Sequence, residues 1–415
     1  MASTTAPTAA PTTAPVRRRR VFYIPGYDPI HPRRYRELYR KEGRDQAAIS
    51  GYEIALEPKA PGAGAYGWTV RGRIEGTAVE THIEVLVWSD IVRKSMGHSI
   101  PATYWQLLFT AWAYIGSGAL WRLMRLRKGP TIAALYPVIF LILEALIGLG
   151  LGWAAARLLA WGLPEFPGRG LVLLAVGAAV LGAVLERFRK ADGKVFAYYL
   201  MHDYALNARE GGANPPALEA RMAEFGATIR TALTEDWDEV LVVGHSSGAH
   251  LGVSILADLI RAGLPQGHPP LGFLTLGQVV PMVSFLPRAG RLRADLRDLS
   301  RSDALCWVDV TAPGDGCAFA LCDPVAVSGV APPDRKWPLV VSAAFTQTLS
   351  PERWAELRWR FFRLHFQYLC AFDRPGDYDY FRITAGPQTL AARYAGRPPS
   401  PGRITAPLNP YTECA

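Results

Sequence analysis

The sequence predicts an α/β fold: a mostly parallel sheet with helices on both faces, interrupted by an inserted transmembrane helical hairpin. Three observations lead there. Apolar runs rich in Val, Ile and Leu alternate with helix-length segments, the pattern of strands covered on both faces. One such run, Val240-Leu-Val-Val, ends in Gly244-His-Ser-Ser-Gly248 and passes directly into a segment that reads as helix to about Arg261. Finally, residues 131–156 carry a single charge, Glu144, and residues 170–185 carry none, the hydropathy of membrane spans.

Half of the 415 residues are hydrophobic, a fifth are charged, and the formal net charge is +9. That balance suits an anionic membrane surface. No zinc-finger spacing or RNA-binding aromatic signature is present, so nucleic acid is not an expected partner. Cys306, Cys317, Cys322, Cys370 and Cys414 are odd in number and contain no CxxC pair, as expected of free thiols in a reducing compartment. No histidine lies near Cys317 and Cys322 in sequence, so neither a metal nor another cofactor is expected.

Residues 1–20 read as a disordered tail, Ala/Thr/Pro-rich and without the apolar core of a secretory signal. Its end, Arg17–Arg20, reads equally as a contact for anionic lipid or as a solvated charge run. Residues 21–101 form the first part of the main domain. Val21–Ile24 is a strand leading into Pro25-Gly26-Tyr27-Asp28-Pro29, residues 33–44 are helical, and strands fit Trp68–Ile74 and Val79–Trp88.

Residues 102–190 form a membrane-associated insertion. Its spans lie at about 131–156 and 170–186, joined by a turn over residues 157–169. The second is short, about 24 Å of helix against about 30 Å of hydrocarbon. Glu144 is expected to face the partner helix. Residues 102–121, rich in Trp but interrupted by Gly116 and Gly118, read as an interfacial or re-entrant helix. A third crossing would separate two parts of one sheet. Arg122, Arg125, Arg127 and Lys128 precede the hairpin and Arg187, Arg189 and Lys190 follow it, which predicts both ends on the cytoplasmic side of an inner membrane.

Residues 191–385 resume the α/β pattern. A helix over 217–233 precedes the Val240 strand. Strands follow at 272–276, 305–310 and 339–344, with an Arg-rich, exposed helix at 292–299. Residues 386–415, rich in Pro, Gly and Arg, are expected to be loosely ordered.

The turn after Val243 carries the chemistry. A serine lifted clear of a strand end sits on a strained turn, and side chains two positions either side would collide with strand and helix. Gly244 and Gly248 are therefore the residues that fit around Ser246. A serine hydroxyl needs a base and an orienting acid, and in this setting the acid and then the histidine follow in the chain. Asp315, in the turn beyond the strand at 305–310, is the candidate acid, with Asp309 and Asp323 as rivals. Of the eight histidines only His365 lies beyond Asp315. His245, His250 and His268 are less well placed. Oxyanion donors are expected from the backbone of Ser247 and of Gly26 and Tyr27, with the Trp88-Ser89-Asp90 strand end as the rival.

Together, Gly244-His-Ser246-Ser-Gly248, the Pro25-Gly26-Tyr27 loop, Asp315 and His365 resemble an α/β-hydrolase of the lipase or esterase type, over residues 21–90 and 194–384. The glycine-rich HGGG loop of many lipases is absent, and the membrane insertion precedes the serine strand. The resemblance implies a membrane-anchored serine hydrolase whose triad Ser246, His365 and Asp315 cleaves an ester. The anchor suggests a lipid-like substrate, and the bilayer is the expected partner. An acyltransferase with the same triad and a catalytically silent membrane scaffold are the alternatives. Oligomeric state is not legible.

Overall fold

The computed structural model describes residues 14–59, 65–97 and 99–414. Eight strands form one sheet in the order β2-β3-β4-β1-β5-β6-β7-β8. They are β1 Arg18–Ile24, β2 Glu53–Pro58, β3 Gly67–Ile74, β4 Thr77–Val85, β5 Glu239–His245, β6 Leu271–Leu276, β7 Cys306–Thr311 and β8 Leu339–Ser342. β3 runs antiparallel to both β2 and β4, and the other pairings are parallel. The architecture is α/β with a mixed, mostly parallel sheet, as the alternating pattern predicts. Every residue of β5, β6 and β7 is buried, which is why those strands read as unbroken apolar runs. β2, not foreseen in the sequence, is an exposed edge that carries Glu53, Glu57 and Pro58, residues that blunt an edge.

Alternate residues of β1 feed two cores. Val21 and Tyr23 join Tyr39, Trp68 and Phe381 on one face. Phe22 and Ile24 join Phe225, Leu256 and Trp307 on the other, under helices Pro216–Ala232, Ser247–Arg261 and Gly290–Arg301. The last of these corrects the expectation of an exposed helix at 292–299. Leu292, Leu296 and Leu299 are buried, and so is Arg293, whose Nη1 donates to the carbonyls of Ser284 and Leu286. A buried arginine that satisfies backbone oxygens looks, in sequence, like a solvated one.

Both chain ends differ from expectation. Most of the expected tail, residues 1–13, lies outside the described residues, but β1 begins at Arg18, inside it. Three of the four arginines of the basic cluster form ion pairs within the fold: Arg18 with Asp236, Arg20 with Glu84, and Arg19 with Glu239. The Arg19–Glu239 pair, 2.6 Å apart, is fully buried. Arg19 also donates to the carbonyls of Gly386 and Gln388, and Glu239 accepts from the Leu390 amide. Residues 386–414 are thus packed, not loose. Asn409 donates to the carbonyls of Ser284 and Ser328, and Ser400 accepts from the Ser342 amide. Composition marks this segment as irregular, but irregular chain can still be pinned by its side-chain amides and hydroxyls.

Helices Lys128–Gly162 and Arg169–Lys190 are long and apolar enough to cross a membrane. They pack along one another where side chains are absent: a Cβ on Gly152 would lie 2.5 Å from the Gly177 carbonyl oxygen. Residues 163–168 join them, a shorter turn than the expected 157–169, because the helix-favouring run Arg157–Trp161 continues until Pro164. Glu144 does not face the second helix. It is buried beside Tyr104 and Tyr198, against helices Ile100–Gly116 and Ala197–Ala208. That side offers hydroxyls, whereas the second helix is apolar. Helix Ile100–Gly116 presents Trp105, Leu108, Trp112 and Ile115 outward, an apolar stripe at helical spacing.

Asp309, in mid-β7, is fully buried; one oxygen accepts from the Thr275 hydroxyl at 2.6 Å and the other has no partner among the described residues. Burial pushes its carboxyl up to about 8, against a smaller opposing pull from Thr275. Between its ordinary range near 4 and about 8 the unfolded chain releases this proton while the folded chain keeps it. Asp309 therefore makes stability fall as pH rises through that window, with no further loss above it. Asp309→Asn should flatten this part of the dependence. In thermal unfolding from detergent, the midpoint of the native chain should drop more between pH 5 and 8 than that of the variant; parallel curves would refute the assignment.

Candidate active site

Because β1 and β5–β8 are parallel, their carboxyl ends emerge at one edge of the sheet, where such sheets place working residues. Ser246 follows β5 directly and has φ 57° and ψ −122°, a strained conformation for a residue with a side chain. Helix Ser247–Arg261 starts at the next residue. A Cβ on Gly244 would lie 2.6 Å from the Gly248 carbonyl oxygen, and one on Gly248 would overlap the Ile24 carbonyl. Both glycines are therefore needed for the steric reason read from the sequence.

The loop after β1 packs against this turn. A Cβ on Gly26 would meet Ser246 Cβ at 2.9 Å and Ser246 Oγ at 3.3 Å. The indole of Trp88 donates to the Pro25 carbonyl at 2.9 Å, and Asp90 pairs with Arg221. The rival strand end thus braces the Pro25–Tyr27 loop. The Ser246 amide donates to the Leu276 carbonyl at 2.9 Å. The amides of Gly26, Tyr27 and Ser247 have no acceptor among the described residues, and all three residues line the cavity.

Asp315 and His365 are brought into direct contact, His365 Nδ1 lying 2.7 Å from Asp315 Oδ2. Asp315 also accepts from the Tyr368 hydroxyl at 3.0 Å and from the Cys317 amide at 2.8 Å. Burial pushes this carboxyl up, but the His365 imidazole, the Cys317 amide and the Tyr368 hydroxyl outweigh it and hold it below the usual carboxylate range. An ionised Asp315 fixes the proton on His365 Nδ1 and leaves Nε2 free of partners among the described residues. Ser246 and His365 line the same cavity, of about 1160 Å³, with no hydrogen bond between them. Such contacts are often long without substrate and tighten when it binds.

The other candidates are engaged elsewhere. Asp309 is bound to Thr275 beneath the sheet edge. Asp323 caps helix Pro324–Val327 and pairs with Arg335. His250 is buried in the helix after Ser246, and His268 bonds to its neighbour Pro269. His245 has a supporting position: its Nε2 donates to the His365 carbonyl at 3.0 Å. Burial, with the nearby His365, lowers it to about 3, so it stays neutral. The donor atoms of Asp315, Cys317 and His365 lie within 4.8 Å of one another. Asp315 already accepts three protein hydrogen bonds, however, so the set fits an orienting carboxylate better than a metal ligand.

Sequence reasoning missed Tyr368, His245 as a brace, and Asp203, which also lines the cavity. Tyr368 was the accessible one: it lies one helical turn beyond His365 in the same apolar run. Set against protein-family models, curated proteins and solved structures, the chain matches none of them.

Proposed function

We propose that this chain is a membrane-anchored serine hydrolase of α/β-hydrolase type that cleaves esters of a lipid-like kind. One observation carries the reading: a serine on a strained strand-to-helix turn shares a cavity with a histidine whose other nitrogen is held by a buried, ionised carboxylate. In this reading His365 Nε2 takes the Ser246 proton as Ser246 Oγ bonds to the acyl carbon. The amides of Ser247 and of Gly26 or Tyr27 receive the developing oxyanion. His365 then protonates the alcohol as the acyl–oxygen bond breaks, and a water deprotonated by the same nitrogen releases the acid.

The lipid side of the proposal rests on where the cavity lies. Pro130, in the first turn of helix Lys128–Gly162, and Phe196, six residues beyond helix Arg169–Lys190 and after the short helix Asp192–Val195, both line it. An ester leaving a bilayer around the helix pair would reach Ser246 beside those residues. Over the expected span, residues 131–156, the first helix rises about 38 Å, enough to cross a hydrocarbon layer of about 30 Å with some tilt. The outward stripe Trp105, Leu108, Trp112 and Ile115 suits a helix lying at the membrane surface. With the hydrolase domain on the cytoplasmic side, the basic residues flanking both helices follow the positive-inside pattern.

Ser246→Ala should abolish hydrolysis of medium-chain nitrophenyl esters by the purified chain while leaving its circular dichroism unchanged; retained hydrolysis would refute the nucleophile. His365→Ala should cost roughly 10⁴-fold in kcat and Asp315→Asn somewhat less. Tyr368→Phe should cost about tenfold, the loss of one hydrogen bond to a charged group. A Tyr368→Phe rate equal to that of the native chain would show that Asp315 is held without it.

The topology is tested in intact cells. A cysteine replacing Leu163 should react with a membrane-impermeant thiol reagent, and Cys414 should not. Labelling of Cys414 alone would reverse the proposed orientation.

A further inference from the structure

The cavity contains an ionisable group that Ser246, His365 and Asp315 leave unused. Asp203, on helix Ala197–Ala208, lines the wall shared with Tyr199 and Tyr204. It is half-buried there. Four tyrosines feel its charge, Tyr27, Tyr114, Tyr199 and Tyr204. Three of them spend their hydroxyls elsewhere: Tyr27 on Ser95, Tyr114 on the Met282 carbonyl and Tyr199 on the Tyr27 carbonyl. Every lysine and arginine lining the cavity has its own carboxylate. Arg34 faces Asp28, Lys41 and Arg353 face Glu42, and Arg363 faces Glu356. Among the described residues nothing donates to the Asp203 carboxylate.

A half-buried carboxyl loses part of its hydration, a cost that a hydrogen-bond donor offsets. Burial raises Asp203 to about 7, with the nearby His365 pulling the other way. No described residue meets it, the Tyr204 hydroxyl included, and the group lines the cavity, where a ligand can bring the donor it lacks. Its position relative to His365 tells which part. Its helix packs beside that of the histidine: the ring of Tyr199, one turn before Asp203, lies 6.1 Å from that of Phe362 on helix Phe361–His365, and the histidine of such a site hands its proton to the leaving alcohol. Resting on the serine hydrolase reading above, we infer that Asp203 accepts a hydrogen bond from a hydroxyl or ammonium group on the alcohol half of the ester. The site is thereby selective for esters of polyols or amino alcohols over simple alkyl esters.

The test uses the full chain in detergent micelles and three decanoyl esters that share one acyl chain: the glycerol monoester, the O-ester of ethanolamine and the methyl ester. In the native chain kcat/KM for a donor-bearing ester should exceed that for the methyl ester. Asp203→Leu should lower that ratio about tenfold and Asp203→Asn by less, since the amide keeps a neutral acceptor. The ester whose ratio falls further identifies the donor as hydroxyl or ammonium. If the leucine variant does not fold, the asparagine variant still carries the comparison. An unchanged ratio in the variants overturns the proposal. So does an equal loss for all three esters with a displaced pH profile, which would mean that Asp203 acts through His365. Fluorophosphonate labelling of the native chain separates this from the underlying reading. A labelled Ser246 with an unshifted ratio removes only the role of Asp203, and an unlabelled Ser246 removes both.

Discussion

The pairing of β1 with β5 is the constraint on which the rest depends. The two strands are neighbours in the sheet, although both long apolar helices lie between them in the chain. Their register sets Ile24 opposite Gly244, so the loop after β1 and the turn after β5 leave the sheet side by side. Gly26 and Gly248 lack side chains for that reason: the two segments approach too closely to admit them. Arg19 and Glu239 fasten the same two strands from within and draw the C-terminal segment onto them. Removing either partner alone would leave a buried charge and cost about 3–5 kcal/mol. The pairing also limits what the apolar helices can do. If they enter a bilayer, they must return the chain to the side from which it left, or the sheet cannot close.

Strain and polarity at the candidate site follow from that frame. The left-handed backbone at Ser246 costs about 1–3 kcal/mol and persists because strand, helix and the Gly26 loop over-determine it. The carboxylate of Asp315 could not stay ionised in a dry site without compensation. Its three hydrogen bonds supply it, and two of their donors, Cys317 and Tyr368, come from the acid's own loop and the turn after His365. Asp315, His365 and Tyr368 form one hydrogen-bonded unit, held from behind by His245. Asp203 lines the cavity apart from that unit.

Much of this was legible in the sequence where a local rule governs the outcome. The Gly244–Gly248 turn was readable because strand, strain and close approach leave few residue choices. The Asp315–His365 pair followed from chain order and strand ends. The apolar helices followed from hydropathy. What was not legible depends on contacts between distant segments. β2 carries too many charges to read as a strand. Arg19 and Arg293 look like surface arginines, yet each is buried by partners far away in sequence. Glu144 takes its neighbours from helices outside the hairpin, which no periodicity within residues 131–186 reveals. The Pro/Gly-rich end is ordered by hydrogen bonds that composition does not record. Asp203 sits in an unremarkable helix, and only the cavity gives it meaning.

The central claim is that Ser246 forms a covalent bond to an acyl group. The most direct measurement is acid quenching of the full chain within milliseconds of mixing with a nitrophenyl decanoate, followed by peptide mass spectrometry. The account predicts a decanoyl increment on the peptide that carries Ser246, decaying as the acid appears and absent after Ser246→Ala. No increment on any peptide, or one on Cys317 or another residue while Ser246 stays unmodified, would contradict it.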